Sequence, residues 1–122
     1  MNRTSPTNDT GTGYVYDDRY LEHRIHRGHP ESPERLRAIG RRLEETGLAK
    51  RLRRIEPVAA VGPHLERVHS TRHIAHIDEI EPSGEIARLA VGGAIAATKA
   101  VCEGRVRKAF CAIRLPGHHA LN

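Results

Sequence analysis

An α/β fold, an open parallel sheet with flanking helices, is what this sequence predicts, and three observations predict it. Strand-like and helix-like segments follow one another in the order strand, helix, strand, helices, strand, the pattern of parallel strands joined by right-handed helical crossovers. Segment 108–113 (KAFCAI) is a near-continuous apolar run of strand length, typical of a parallel strand covered on both faces. Segment 85–103 carries Ile86, Leu89, Ala90, Gly93, Ile95, Ala97, Ala100 and Val101 in a helical pattern, with small residues that allow close approach to a sheet.

Taken in order, residues 1–12 form a polar Thr- and Gly-rich stretch and read as a flexible tail; 13–122 read as one domain or part of one. The tail has no apolar core of the kind a secretory signal needs. Residues 13–17 (GYVYD) combine β-formers with Gly and acidic boundaries and predict a strand. Segment 18–31 is charged, holds His23, His26 and His29, and ends in a His-Pro pair that disfavours helix, so it predicts an ordered loop. His23 and His29 are expected to make structural hydrogen bonds there, a pocket-rim role being the alternative, since function concentrates on such loops.

Ser32-Pro33-Glu34 predicts a helix start, because Ser offers a cap, Pro at the first position sacrifices no bond, and Glu suits the positive end of the dipole. Leu36, Ile39 and Leu43 continue at helical spacing to a stop at Gly47. A second strand is predicted over 54–61, with Pro57 demoting it toward an edge, and Gly62-Pro63 breaks it. One helical turn is expected at 64–69, a helix over 71–81 with Ile74, Ile77 and Ile80 on one face, and a turn at 82–84. Gly104 ends the long helix before the last strand.

Composition narrows the function classes. Apolar residues make up 38% and aromatics 3% of the 122 residues, so the core rests on aliphatics and alanine. A net charge of +5 is compatible with acidic partners, but Arg35, Arg37, Arg41 and Arg42 are interleaved with Glu44 and Glu45 as on a solvated helix face. Single-strand binders also need stacking platforms, and here there are one Phe and three Tyr, so nucleic acid is not an expected partner. Cys102 and Cys111 lack CxxC spacing and read as small buried hydrophobes in a reducing compartment, taken as the cytoplasm. The longest near-apolar run, 89–97, is too short to span a bilayer. His69, His73 and His76 could share a helix face and bind a transition metal, with ordinary surface histidines as the competing reading.

The segment richest in chemistry is 114–120, RLPGHHA, directly after the apolar strand, where open α/β sheets place their ligands. Adjacent imidazoles titrate near neutrality and can act as base and then as acid. This run resembles the RPPGHHA signature of zinc-dependent deacetylases, the family of histone deacetylases, acetoin-utilisation proteins and acetylpolyamine amidohydrolases. Tyr20-Leu21-Glu22-His23 followed by HPESPERL at 29–36 is similar to the family's opening pattern. Val68-His69-Ser70 resembles its V-H-S turn, and Ala90-Val91-Gly92-Gly93-Ala94 its A-x-G-G helix. The four motifs stand in the family's order.

The resemblance implies an arginase-like, histone deacetylase-like sheet and hydrolysis of acetyl-amide bonds of acetyl-lysine or acetylpolyamine type. It assigns His119 as general base and acid, His118 as its electrostatic partner, and Gly117 to substrate binding. In the family the zinc ligands and an oxyanion-steadying Tyr lie beyond the His-His loop, whereas only Ala120, Leu121 and Asn122 follow His119. Leu115 replaces a family proline, and the loop that holds a substrate-gripping Asp is shortened to Glu81-Pro82-Ser83-Gly84. The expectation is therefore the amino-terminal portion of a deacetylase domain, truncated or split. Zinc belongs to the complete domain and none to this chain alone, and activity needs a complementing carboxy-terminal segment. The alternative is a non-catalytic remnant that binds acetylated ligands or a partner. On either reading the chain is expected to self-associate through an exposed sheet edge.

Overall fold

A computed structural model describes residues 10–23 and 29–114. Three parallel strands, β1 (Thr12–Val15), β2 (Arg53–Ile55) and β3 (Lys108–Cys111), form a sheet in the order β2-β1-β3. Tyr14 in the centre is registered with Arg54 on one side and Phe110 on the other. Between the strands lie α1 (Pro33–Glu45), α2 (Gly62–Leu65), α3 (Thr71–Asp78) and α4 (Ser83–Cys102), with 3-10 helices at Asp18–Glu22 and Leu48–Arg51. The predicted class, an open parallel sheet with flanking helices, is the one observed.

The first crossover, through α1, steps from the central strand to one edge, and the second, through α4, returns across it to the other. Right-handed connections running in opposite directions put their helices on opposite faces. Alternation along β1 agrees with this. Val15, fully buried, stands close to Gly93 of α4. Tyr14 and Tyr16 take the other face, where burial raises their hydroxyl pKa values, that of Tyr16 to about 12, and Glu44 and Arg37 of α1 act on them electrostatically.

Helix α1 starts at Pro33 as predicted. Ser32 holds the cap position, yet its hydroxyl makes no capping bond. Leu36 is buried, Ile39 and Leu43 pack against the core, and Arg35, Arg37, Arg41 and Arg42 are exposed. Gly47 follows at φ 77° and stops the helix. Thr12, expected in the tail, already belongs to β1, and the Thr10 amide donates to the Arg51 carbonyl at 3.0 Å. Among the described residues no helix is long and apolar enough to cross a membrane.

Several expectations are corrected. The strand predicted over 54–61 is confined to Arg53–Ile55. Pro57 has no N–H for the ladder, and the chain beyond it leaves the sheet for α4. There the Ala60 amide donates to the Arg88 carbonyl at 2.9 Å, and Arg88 Nη1 donates to the Ala60 carbonyl at 2.9 Å. This crossing requires glycine at Gly92, where a Cβ would lie 1.6 Å from the Val58 carbonyl oxygen. The adjoining Gly93 makes room for Tyr20, whose hydroxyl would be 2.7 Å from a Cβ at that position.

The turn expected at 64–69 is α2, which starts earlier; the helix over 71–81 ends at Asp78; and the turn at 82–84 is already α4 from Ser83. Strand β3 is parallel as predicted but not covered on both faces among the described residues, for it forms one edge of the sheet and Phe110 is 44% exposed. Cys102 is not a buried hydrophobe. As the last residue of α4 it is exposed, while Cys111 is half-buried.

Candidate functional site

Open parallel sheets bind their ligands beyond the carboxyl ends of their strands, and here β1 and β3 are parallel neighbours. Two stretches of chain meet there, the 3-10 helix that follows β1 and the residues that follow β3 as far as Arg114. A buried polar network joins them.

Arg114, just beyond β3, is 2% exposed. Its Nε donates to Glu31 Oε2 at 2.7 Å and its Nη2 to Glu31 Oε1 at 2.6 Å, a two-pronged fork on the carboxylate. Its Nη1 donates to the carbonyls of Tyr20 at 3.1 Å and His23 at 2.5 Å. A guanidinium so removed from water is tolerated only when its charge is paired and its donors are used. The same bonds hold the Glu31 carboxyl below its ordinary 4.5, against the upward push of burial.

Local sequence explains why these partners are in reach. Asp17 caps the 3-10 helix, accepting from the Arg19 amide at 2.9 Å and from Arg19 Nε at 2.8 Å and Nη2 at 2.9 Å, which brings its carboxyl down to about 2. The fully buried Tyr20 then donates its hydroxyl to the Leu89 carbonyl of α4 at 2.9 Å, fastening the 3-10 helix to the layer above the sheet. On the other side the Glu31 amide donates to His29 Nδ1 at 3.0 Å, shaping the approach to α1.

His23 completes the network. Its Nδ1 lies 2.8 Å from Ser83 Oγ at the start of α4, and its Nε2 lies 4.0 Å from Glu31 Oε1. Burial, and then the Arg114 charge, push its pKa below the ordinary 6.5, with Glu31 opposing. A neutral ring that accepts from the Ser83 hydroxyl through Nδ1 and turns Nε2–H toward Glu31 suits both neighbours.

Gly117, His118 and His119 lie outside the described residues, as do Leu115 and His26. His23 and His29 make the structural hydrogen bonds expected of them. The rings of His69 and His73 stand 5.0 Å apart beside the start of α3, but His76 does not complete a metal site with them. Among the described residues no three or more His, Cys, Asp or Glu side chains are gathered as metal ligands. Sequence reasoning quoted Glu31 and Arg114 as motif letters without pairing them. The available signal was a charged residue at the end of an apolar strand, a position where burial demands a partner.

A family model of the histone deacetylase domain matches residues 29–122. A probable deacetylase of Archaeoglobus fulgidus is 34% identical over 125 residues, covering 89% of this chain and 35% of that protein. A histone deacetylase-like amidohydrolase of Pseudomonas aeruginosa is 35% identical over 109 residues, covering 77% of this chain and 29% of that protein. Among solved structures, the crystal structure of the HDA15 HD domain matches with a TM-score of 0.82 at 30% identity, over 89% of this chain and 36% of that one. The chain thus spans about a third of the length of these relatives.

Proposed function

The chain belongs to the histone deacetylase domain family, and we propose that it carries the amino-terminal part of a hydrolase of acetyl-amide bonds, acetyl-lysine or acetylpolyamine in type. His119 serves as general base and then general acid, His118 as the neighbour whose charge tunes it, and Gly117 as part of the substrate-binding loop. An imidazole suits this work because it exchanges a proton near neutrality, and a second imidazole beside it shifts the cost of holding that proton.

The observation that carries the reading is the Arg114 fork on Glu31. It joins the HPE segment to the first residue of RLPGHHA beyond the carboxyl end of β3, the end of the strands at which an α/β sheet holds its ligands. Zinc is the cofactor of the complete domain in this reading, and when bound it polarises the carbonyl and activates water. Its ligands come from a further segment, in the same polypeptide or in a complementing one, and that segment and the acetylated substrate are the chain's proposed partners.

The test is hydrolysis of an acetyl-lysine peptide and of an acetylpolyamine, measured for the chain alone and with a carboxy-terminal deacetylase segment. The assembly should hydrolyse at least one of them, and His119→Ala should lower turnover about 10²–10⁴-fold. Unchanged turnover removes His119 from the role, and an inactive assembly overturns the functional reading.

A further inference from the structure

We propose that His69 and His73 form a two-imidazole site for a divalent transition-metal ion, copper(II) foremost, which clips the turn before α3 to the first turn of that helix. The site is separate from the zinc of the functional reading above and stands independently of it.

Three observations carry it. The two rings lie with their centres 5.0 Å apart and their planes tilted by 42°. A metal bonded at about 2.0–2.1 Å to one nitrogen of each ring would sit about 3.2 Å from each ring centre, so this separation subtends about 100° at the metal, close to the tetrahedral angle. Each ring turns about an axis through its centre, so rotation about χ2 chooses which nitrogen faces inward without changing the reach.

Next, His69 Nδ1 is buried and has no hydrogen-bond partner among the described residues. A contact between two rings leaves that nitrogen unexplained, since buried polar atoms are with few exceptions bonded to protein, water or an ion. A metal on Nδ1 supplies the missing partner. The proton then sits on Nε2 of a half-buried ring, where water can accept it. Finally, the backbone presents both rings from one hydrogen-bonded stretch. The His69 amide donates to the Leu65 carbonyl at 3.0 Å, and the adjoining Ser70 accepts the His73 amide at Oγ and the Ile74 amide at its carbonyl, both at 3.1 Å. Little ordering is left for the metal to impose.

The donor set selects the ion. Imidazole suits copper, nickel and zinc, of which copper(II) binds most tightly, whereas calcium and magnesium take oxygen ligands. Among the described residues no third His, Cys, Asp or Glu gathers with the two rings, and the amino end of α3, with Arg72 beside His73, is positive. An ion held by charge alone has nothing to hold it there, whereas an ion held by bonds to nitrogen does. With two protein ligands, water fills the remaining positions.

The experiment titrates the full, tag-free chain by calorimetry with copper(II), zinc, nickel and magnesium chlorides in turn. NMR follows the ¹³C signals of histidine Cε1, assigned through their backbone connectivities. Substoichiometric copper should broaden the His69 and His73 signals together, and before those of His64 and His76; excess magnesium should move neither. His69→Gln and His73→Gln should each weaken copper binding at this site by about 10–100-fold or more, at least what losing an outer-shell partner costs a metal site. His76→Gln should leave it unchanged. Copper that broadens other histidines, His118 and His119 included, while His69 and His73 stay sharp overturns the proposal. So does an unchanged copper affinity in a folded His73→Gln chain, or displacement of the copper by magnesium. Where His69→Gln fails to fold, His73→Gln and the broadening in the parent still decide.

Discussion

Replacing Gly92 with alanine adds one methyl group where the 58–60 segment crosses α4. The new carbon would lie 1.6 Å from the Val58 carbonyl oxygen, 2.6 Å from its carbon and 3.1 Å from the Ala60 nitrogen. A comfortable carbon-to-oxygen approach is about 3.3–3.6 Å, so the crossing segment must retreat by about 2 Å. That retreat opens the paired hydrogen bonds between Ala60 and Arg88, both 2.9 Å long. Two such bonds are worth about 1 kcal/mol each, and overpacking adds about 1–3 kcal/mol. Removing glycine from a helix interior returns about 1 kcal/mol. The net expectation is a loss of about 2–4 kcal/mol, a large share of the stability of a domain this size. Gly40→Ala in α1 is the matched control, since nothing lies within 4 Å of a Cβ there, and it should stabilise by about 0.5–1 kcal/mol. Urea unfolding followed by circular dichroism measures both variants. A Gly92→Ala chain within about 0.5 kcal/mol of the parent would refute the argument, as would two substitutions of the same sign.

Acidification should destabilise the chain in two steps. His23 binds its proton less readily in the fold than outside it, so stability present above its ordinary 6.5 is lost as the pH falls through 6.5 toward the lower folded value. The Glu31 contribution is present above 4.5 and is lost further down, as the pH falls through its depressed folded value. Thermal melts between about pH 8 and about pH 3 read both steps, and His23→Gln should remove the upper one alone. An upper step that survives in that variant excludes His23 as its source. The exposed Phe110 on edge strand β3 should promote association, so sedimentation should show Phe110→Lys shifted toward monomer; a parent already monomeric, or a variant that associates as before, rejects the edge as the contact. A thiol-reactive dye should label exposed Cys102 quickly and Cys111 slowly, because burial raises the Cys111 thiol pKa and the thiolate is the reactive form. Loss of the slow phase instead of the fast one in Cys102→Ser would contradict that order.

Elements were legible where local signals reinforced one another. Ser32-Pro33-Glu34 placed the start of α1, and the small residues of segment 85–103 marked a helix able to lie close to the sheet, where Gly92 and Gly93 now meet Val58 and Tyr20. The end of β2 was not legible, because where pairing stops depends on where β1 and α4 stand and not on Pro57 alone. Cys102 was misplaced for a similar reason: Ala97 and Ala100 face the core while Val101 and Cys102 face solvent, and only packing decides which stripe of an apolar helix does so. At the site, the motifs stood in the right order, but the bond that unites two of them spans 83 positions, a separation that no periodicity encodes. The charge at the end of an apolar run was the one local hint.

The strand at the middle of the sheet is the first to be made, and this bears on how the chain folds as it emerges from the ribosome. Strand β1 needs β2 and β3 on either side, and the last of these precedes Arg114, which lies 83 positions after its partner Glu31. At a synthesis rate of about 5–20 residues per second, Glu31 waits about 4–17 s for that partner. Parallel pairing cannot nucleate from neighbouring residues, so the side of β1 that pairs with β3 stays unpaired until Lys108–Cys111 have been made. Helix α1 can form early, but its sheet cannot close behind it. A chaperone that shields Tyr14 and Val15 until β3 arrives would act at the step where this topology is most exposed to misassembly.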